Sequence, residues 1–302
     1  MPPIGRGAFA ALLAPDLRKV YVEIGKERPV EYSQWCNVDP NMMWNPVRDQ
    51  QISGLGTMPS KLEGTTFALD QPILGGNKSY TANPYGMAVE ITYEMWRDDL
   101  YGVMREIIAG LARASRNRLE VSGHAVLNNG FSTSFTGFTS GEALFSTAHV
   151  GLDGVSRANR PSPDISFGVT GIQASINRFE GQTDERGLPR LMAPVMALIS
   201  PFNKYVAREV LGSSGKPFTA DNEINALIEE DLSWMVDHYL SVNTRWMLLA
   251  AKGVHDLNMM VRDAPIFDSF DDPWSKNAIF TTYQRHTDSQ FGSWRGADGS
   301  TG

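Results

Sequence analysis

Ser146 and Thr147 stand beside His149 in the stretch Gly141-Glu-Ala-Leu-Phe-Ser-Thr-Ala-His149. A histidine next to a hydroxyl is the raw material of nucleophilic catalysis. That chemistry also needs a group to orient the ring and donors for a developing oxyanion, and neither accompanies it here. The expectation for His149 is a hydrogen-bonded structural role. His124, His238, His255 and His286 are scattered. None pair at i,i+4 around a glutamate, the pattern that holds a catalytic zinc on one helix face. Asp263, Asp268, Asp271 and Asp272 could attract a divalent cation, but they do not follow calcium-loop spacing. A solvated acidic loop is expected there. Gly212-Ser-Ser-Gly215-Lys216-Pro217 fails as a phosphate loop: Val210 stands where the first glycine belongs, and Pro217 where Ser or Thr belongs. Gly54-Leu-Gly56 lacks the third glycine of a dinucleotide turn, and no Gly-x-Ser-x-Gly elbow occurs. Cys36 is alone, so no intrachain disulfide forms. No catalytic residue, metal ligand or cofactor site is expected, and the chain reads as no enzyme.

The elements that would have to position any chemistry are more telling. With 302 residues, 42% hydrophobic and 20% charged, the chain is globular and large enough for two lobes. Its net charge of −7 argues against a sequence-independent grip on nucleic acid. The apolar run Trp246 to Ala251 is far too short to cross a bilayer, and the N-terminus lacks a signal-peptide plan. From Asp98 to Asn129 no proline occurs. Leu100, Met104, Ile108, Leu111, Ser115, Leu119, Ser122 and Val126 recur at helical spacing, which predicts one rod of about 32 residues, ~48 Å long. Gly102, Gly110 and Gly123 interrupt it, each costing up to ~1 kcal/mol against alanine unless a neighbour packs closely. Five arginines from Arg97 to Arg118 are interleaved with Glu106 and Glu120, which reads as a solvated face.

Ahead of the rod, Leu17, Val20, Tyr21 and Ile24 share one face of a short helix, and Tyr32, Trp35, Met42, Met43 and Trp44 load an irregular arm with apolar surface. Such an arm needs a neighbour, or must fold back on its own core. Thr65, Phe67 and Leu69, then Met87, Val89, Ile91 and Tyr93, alternate with polar residues, predicting an extended hairpin over 51–96 with a long connector from Gln71 to Gly86. An isolated hairpin is marginal in water, so it is expected to lie on something else, an adjacent subunit included. After the rod come a helix near 167–181, a buried strand over 193–199, a short helix from Pro201, strands over 232–240, 246–251, 259–261 and 278–285, and a tail, Ala297 to Gly302, of disordered composition. The fold class is α+β.

The sequence resembles the major capsid (major head) proteins of tailed bacteriophages, in the branch of the Mu-type major head subunit. The resemblance rests on Ser53-Gly-Leu-Gly56, Leu62-Glu-Gly64, Ile91-Thr92, Asp98-Asp-Leu-Tyr101, Glu120, Val126-Leu-Asn128, Phe131, Gly141 through His149, and Trp294-Arg295. It implies the Hong Kong 97 capsid fold: an N-terminal arm (1–50), an extended loop (51–96), a spine helix and peripheral domain (97–165), an axial domain (166–256), and strands returning to the peripheral domain (257–302). The implied function is self-assembly into pentamers and hexamers that close an icosahedral or prolate head shell around double-stranded DNA, without sequence-specific binding. The protein would sit in the virion after assembly in the host cytoplasm. The implied partners are further copies of itself, a scaffold, a portal and decoration proteins. The chain enters the arm almost at once, so a scaffold segment is expected to be separate or already absent. Some members cross-link a loop lysine; Lys61 and Lys78 lie in the hairpin, but nothing marks either as reactive. The alternatives are an encapsulin-like compartment shell, a hydrolase around His149 and His255-Asp256, and a phage tail or baseplate component.

Overall fold

The periodicities above become two sheets and a helical spine. The computed structural model describes residues 9–27, 29–98, 102–139, 141–215, 224–272, 274–275 and 277–302. Helix α1 (Phe9–Gly25) leads through α2 (Tyr32–Trp35) and β1 (Asn37–Asp39) into β2 (Val47–Ile52) and β3 (Leu74–Tyr80). Next come β4 (Asn83–Ile91), α3 (Tyr93–Arg97), the spine α4 (Val103–Gly123) and α5 (Ala125–Asn129). A loop-rich stretch carries the short pair β5 (His149–Val150) and β6 (Ser156–Arg157). Then follow α6 (Val169–Glu180), β7 (Met196–Ile199), α7 (Lys204–Gly212), β8 (Ser233–Val236) and β9 (Trp246–Leu249). The chain closes with β10 (Leu257–Asp271), β11 (Ala278–His286), β12 (Gln290–Phe291) and β13 (Ala297–Ser300).

The first sheet runs β1-β10-β11-β4, with β12 also on β10. β11 lies antiparallel between β10 and β4. One face is covered by α4 and α1, which bury Leu17, Tyr21, Met104, Ile108 and Leu111 against Ile91, Phe267 and Phe280. Each fully buried side chain of this size contributes ~2 kcal/mol. The second sheet runs β13-β9-β7-β8. Leu198, Met247 and Leu249 face the central core. Ala197, Ile199, Trp246 and Leu248 face α6 and α7. Burial on both faces explains why Met-Ala-Leu-Ile and Trp-Met-Leu-Leu are unbroken apolar runs.

The structure revises several sequence expectations. The single rod becomes α4, of 21 residues or about 31 Å, followed by the five-residue α5. Ser289 causes the break: its N–H donates to Ser122 O at 2.8 Å, and its Oγ accepts the Val126 N–H at 3.0 Å. A side chain inserted into the helical ladder bends or ends the helix. At the other end Asp98 caps α3, and Gly102, with φ of 71°, starts α4. Leu100 and Asp99 lie outside the described residues.

The hairpin is also different. Thr65 to Asp70 form no strand, and the antiparallel ribbon is β2 with β3. The connector from Gln71 to Gly86 therefore holds β3 and the start of β4, while β4 joins the first sheet. The acids Asp263, Asp268 and Asp271 lie on β10 instead of in a loop, because the alternation of Phe267 with exposed neighbours seats that stretch against β11. The polar tail is ordered as β13, buried at every position and paired with β9. Finally, the arm folds back in part: α1 and Trp35, Cys36 and Met42 are buried in the chain's own core, whereas Met43 and Trp44 stay exposed.

Candidate assembly surfaces

The motif blocks Val126–Asn128, Gly141–His149 and Trp294-Arg295, far apart in sequence, converge on the central core, whereas Ile91 packs in the cluster under the first sheet and Leu62 is exposed. Leu127, Leu144, Phe145 and Trp294 pack in one cluster. Phe145 N–H donates to Gly130 O at 2.8 Å, and the Phe131 and Phe145 rings stand 4.7 Å apart. Asn128 bridges to the turn after β8, donating to Tyr239 O at 2.9 Å and accepting from Ser241 N at 2.8 Å.

His149 is the hub of this cluster. Its ring stacks on Trp294 at 4.3 Å with 6° between planes. Nε2 lies 3.0 Å from Asn159 Oδ1, and Nδ1 lies 3.1 Å from Glu142 Oε2. Asn159 Nδ2 donates to Leu144 O and Ala297 O at 2.8 and 3.1 Å, so Oδ1 is the acceptor and Nε2–H the donor. Burial pushes the His149 pKa down against the upward pull of Glu142 and Asn159. Ser146 Oγ is engaged with Ala148 N–H at 3.2 Å. The histidine expected to be structural ties the Gly141–His149 loop to the C-terminal strand.

The remaining candidates are spread out. Burial pushes the His255 pKa down and the Asp256 pKa up. Asp256 accepts the Ser293 N–H at 2.8 Å. His286 Nε2 lies 3.0 Å from Ser122 Oγ, and burial beside Arg118 lowers its pKa to about 4. Asp263 lies 3.9 Å from Arg285, and Asp272 caps the turn at Trp274 and Ser275. Gly212 and Ser213 lie at the C-terminal end of α7, where a phosphate loop would need a helix N-terminus; Lys216 and Pro217 lie outside the described residues. Among the described residues, one trio of possible ligand groups converges: Glu31, His124 and Asp237. Sequence spacing could not find it, because the three come from separate elements.

Exposed apolar residues occur along the chain, Leu191 and Trp274 among them, and two groups stand out. Between β2 and β3, Met58, Phe67 and Leu69 are 90, 80 and 96% exposed. The base of that loop is fixed: Ser53 N–H donates to Ile73 O at 2.9 Å, Gly56 N–H to Asp70 Oδ2 at 2.7 Å, and Arg186 to Asp70 Oδ1 at 3.1 Å. These bonds hold the Asp70 carboxyl below its ordinary pKa. The loop is thus anchored at its root with its apolar side chains in solvent. A second apolar face, Met87, Ile266, Phe270 and Tyr283, lies on the first sheet. Isolated exposed apolar residues are ordinary, but contiguous sets of this kind mark interaction surfaces. No described helix is long and apolar enough to cross a membrane.

Comparison with curated proteins gives no match. Among solved structures, the chain is similar to the capsid of Cyanophage P-SCSP1u (10% identity, 90% of this chain and 88% of that one, TM-score 0.60). It is also similar to a chain of Microbacterium phage Oxtober96 (9% identity, 88% and 86%, TM-score 0.55). A third similar structure is the virus-like particle from Pyrococcus furiosus (9% identity, 94% and 97%, TM-score 0.54). These likenesses give the Hong Kong 97-type fold. The phage capsid protein family profile matches residues 77–297, which span the first sheet apart from β1, the spine and the motif cluster just described. The family match selects a phage head over a cellular compartment: this chain belongs to the phage capsid protein family, and is a structural, shell-forming protein of the virion.

Proposed function

We propose that copies of this chain meet through the loop between β2 and β3, each laying its exposed apolar side chains on a neighbour, and so close pentamers and hexamers into the head shell around double-stranded DNA. The carrying observation is the anchored loop with Met58, Phe67 and Leu69 in solvent. Leaving that much apolar surface in water is unfavourable by ~25 cal/mol per Å², and a repeated heterologous contact closes rings. Weak contacts to several neighbours then sum to a stable wall. In this reading β2, β3 and the loop are the extended loop; the first sheet with α4 is the peripheral domain; the second sheet with α6 and α7 is the axial domain. The order of the motifs favours the Mu-type branch, and scaffold, portal and decoration proteins would be its further partners.

The test is Phe67→Ser combined with Leu69→Ser. The subunit keeps its far-ultraviolet circular dichroism and its denaturant midpoint, while shells vanish from negative-stain micrographs. Shells in undiminished yield would defeat the proposal.

A further inference from the structure

The meeting point of three chain segments behind the spine holds an arrangement that shell building does not require. We propose that Glu31, His124 and Asp237 form a binding site for a divalent transition-metal ion of the zinc class, clamping the segment before α2, the end of α4 and the end of β8 to one another.

The donor atoms of the three side chains lie within 4.8 Å of one another. His124 and Asp237 are wholly buried, and Glu31 is 22% exposed. His124 Nδ1 lies 2.7 Å from Glu120 O. A carbonyl only accepts, so Nδ1 carries a proton, and Nε2 is the ring atom left to a metal ion. Burial pulls the His124 pKa down, but Asp237 and Glu120 outweigh it and raise it, so an ion enters by displacing the second proton. Nε2 lies 3.0 Å from Asp237 Oδ2. Neither atom has a hydrogen-bond partner; the pair is close without the alignment of a hydrogen bond. A buried imidazole and carboxylate this close need a cation between them, a proton or a metal ion. An imidazole whose other nitrogen donates to a backbone carbonyl is the usual form of a metal-ligating histidine.

The surroundings support the same reading. Asp237 Oδ1 accepts the Tyr239 N–H at 2.8 Å, which leaves Oδ2 to a ligand. The His124 ring is held by stacking on Tyr239 at 5.1 Å and by the edge of Trp35 at 5.5 Å. Glu31 is oriented from outside by His238, whose N–H and Nδ1 lie 3.0 and 2.8 Å from its carboxylate. The carboxylate of Glu120 is occupied elsewhere, accepting the Glu31 and Tyr32 amides at 2.9 and 3.1 Å. An ion with bonds of ~2.1 Å spans no more than ~4.2 Å between ligands, so the partly exposed Glu31 closes the site with a small inward swing and provides the route from solvent. One imidazole and two carboxylates suit zinc-class ions better than magnesium or calcium, which prefer oxygen alone. Three protein ligands leave a coordination position for water, as in an open zinc site.

The test uses the purified full-length protein, stripped with EDTA, dialysed and titrated with zinc chloride by isothermal calorimetry. The expected result is about one equivalent bound per subunit, a raised melting temperature with zinc, and at least a tenfold weaker affinity in Glu31→Gln. Asp237→Asn should abolish binding. Because that buried substitution risks unfolding the subunit, Glu31→Gln and the wild-type titration decide the question on their own. Absence of saturable zinc binding overturns the proposal, as does zinc binding unchanged by Glu31→Gln; either result leaves His124 and Asp237 as a buried imidazolium–carboxylate pair. Magnesium chloride binding as tightly as zinc overturns the choice of ion class.

Discussion

The loop between β2 and β3 and the C-terminal strand invert each other. The loop is greasy and lies in water; the strand Ala-Asp-Gly-Ser is polar and fully buried. The difference is in partners. Asp298 accepts from Ser175 Oγ at 2.6 Å and from Arg178 at 2.7 and 2.8 Å. Ser300 Oγ accepts the Ile165 N–H at 2.9 Å, and Gly299 gives the Phe145 ring room that a Cβ, 2.8 Å from that ring, would close. The strand finds every hydrogen bond inside the chain, so burial is tolerated. The loop finds no apolar cover for these side chains among the described residues, and in the proposed function another copy supplies it. Composition alone assigns both segments to the wrong environment.

The strongest way to break this contrast is Asp298→Ala. Removing one member of a buried ion pair strands the other, and the expected loss is about 3 kcal/mol of subunit stability in denaturant titrations. A loss below ~0.5 kcal/mol, the scale of neutral surface changes, would show that the strand is not held by its polar bonds. The loop substitutions are the mirror case: no cost to the subunit, and loss of the shell.

Protonation extends the comparison to a buried polar group that cannot take a charge. His286 is fully buried at the end of β11, and its pKa falls from the ordinary 6.5 to about 4 through burial and then Arg118. The unfolded chain therefore binds more protons between these values. Stability is complete above about pH 6.5 and declines as pH falls toward about 4, by up to ~3 kcal/mol. Denaturant midpoints across that range check it, and His286→Gln, with no proton to take up, should flatten the slope.

The smallest effect is the sharpest contrast, because it compares one residue type in one helix. A Cβ on Gly123 would lie 2.4 Å from Tyr32, whereas a Cβ on Gly110 meets nothing within 4 Å. Gly123→Ala should cost about 2 kcal/mol by overpacking. Gly110→Ala should gain up to ~1 kcal/mol in the isolated subunit. Thermal melts of the two variants test both signs. Of the three spine glycines whose helix cost a close neighbour could offset, Gly123 has such a neighbour among the described residues, and Gly102 and Gly110 do not.

Much of the architecture was legible because local periodicity and tertiary burial agree. The stripe Met104, Ile108, Leu111 and Ser115 faces the core as its spacing requires. So do Ile172, Ile176 and Phe179 on α6, and the apolar runs of β7 and β9 are buried on both faces. The family resemblance was legible through blocks such as Gly141–His149, whose purpose became visible only when Asn159 and Trp294 were seen to close around His149. The sequence by itself determined α+β content, the apolar faces and the capsid kinship, since these follow from side-chain order along one segment. Only the tertiary structure decided where the spine breaks, which glycine is crowded, that the polar tail is a buried edge strand, and that Glu31, His124 and Asp237 meet. Each of those depends on a contact between residues far apart in the chain, such as Ser289 reaching into the spine's hydrogen-bond ladder, and no local pattern records such a partner.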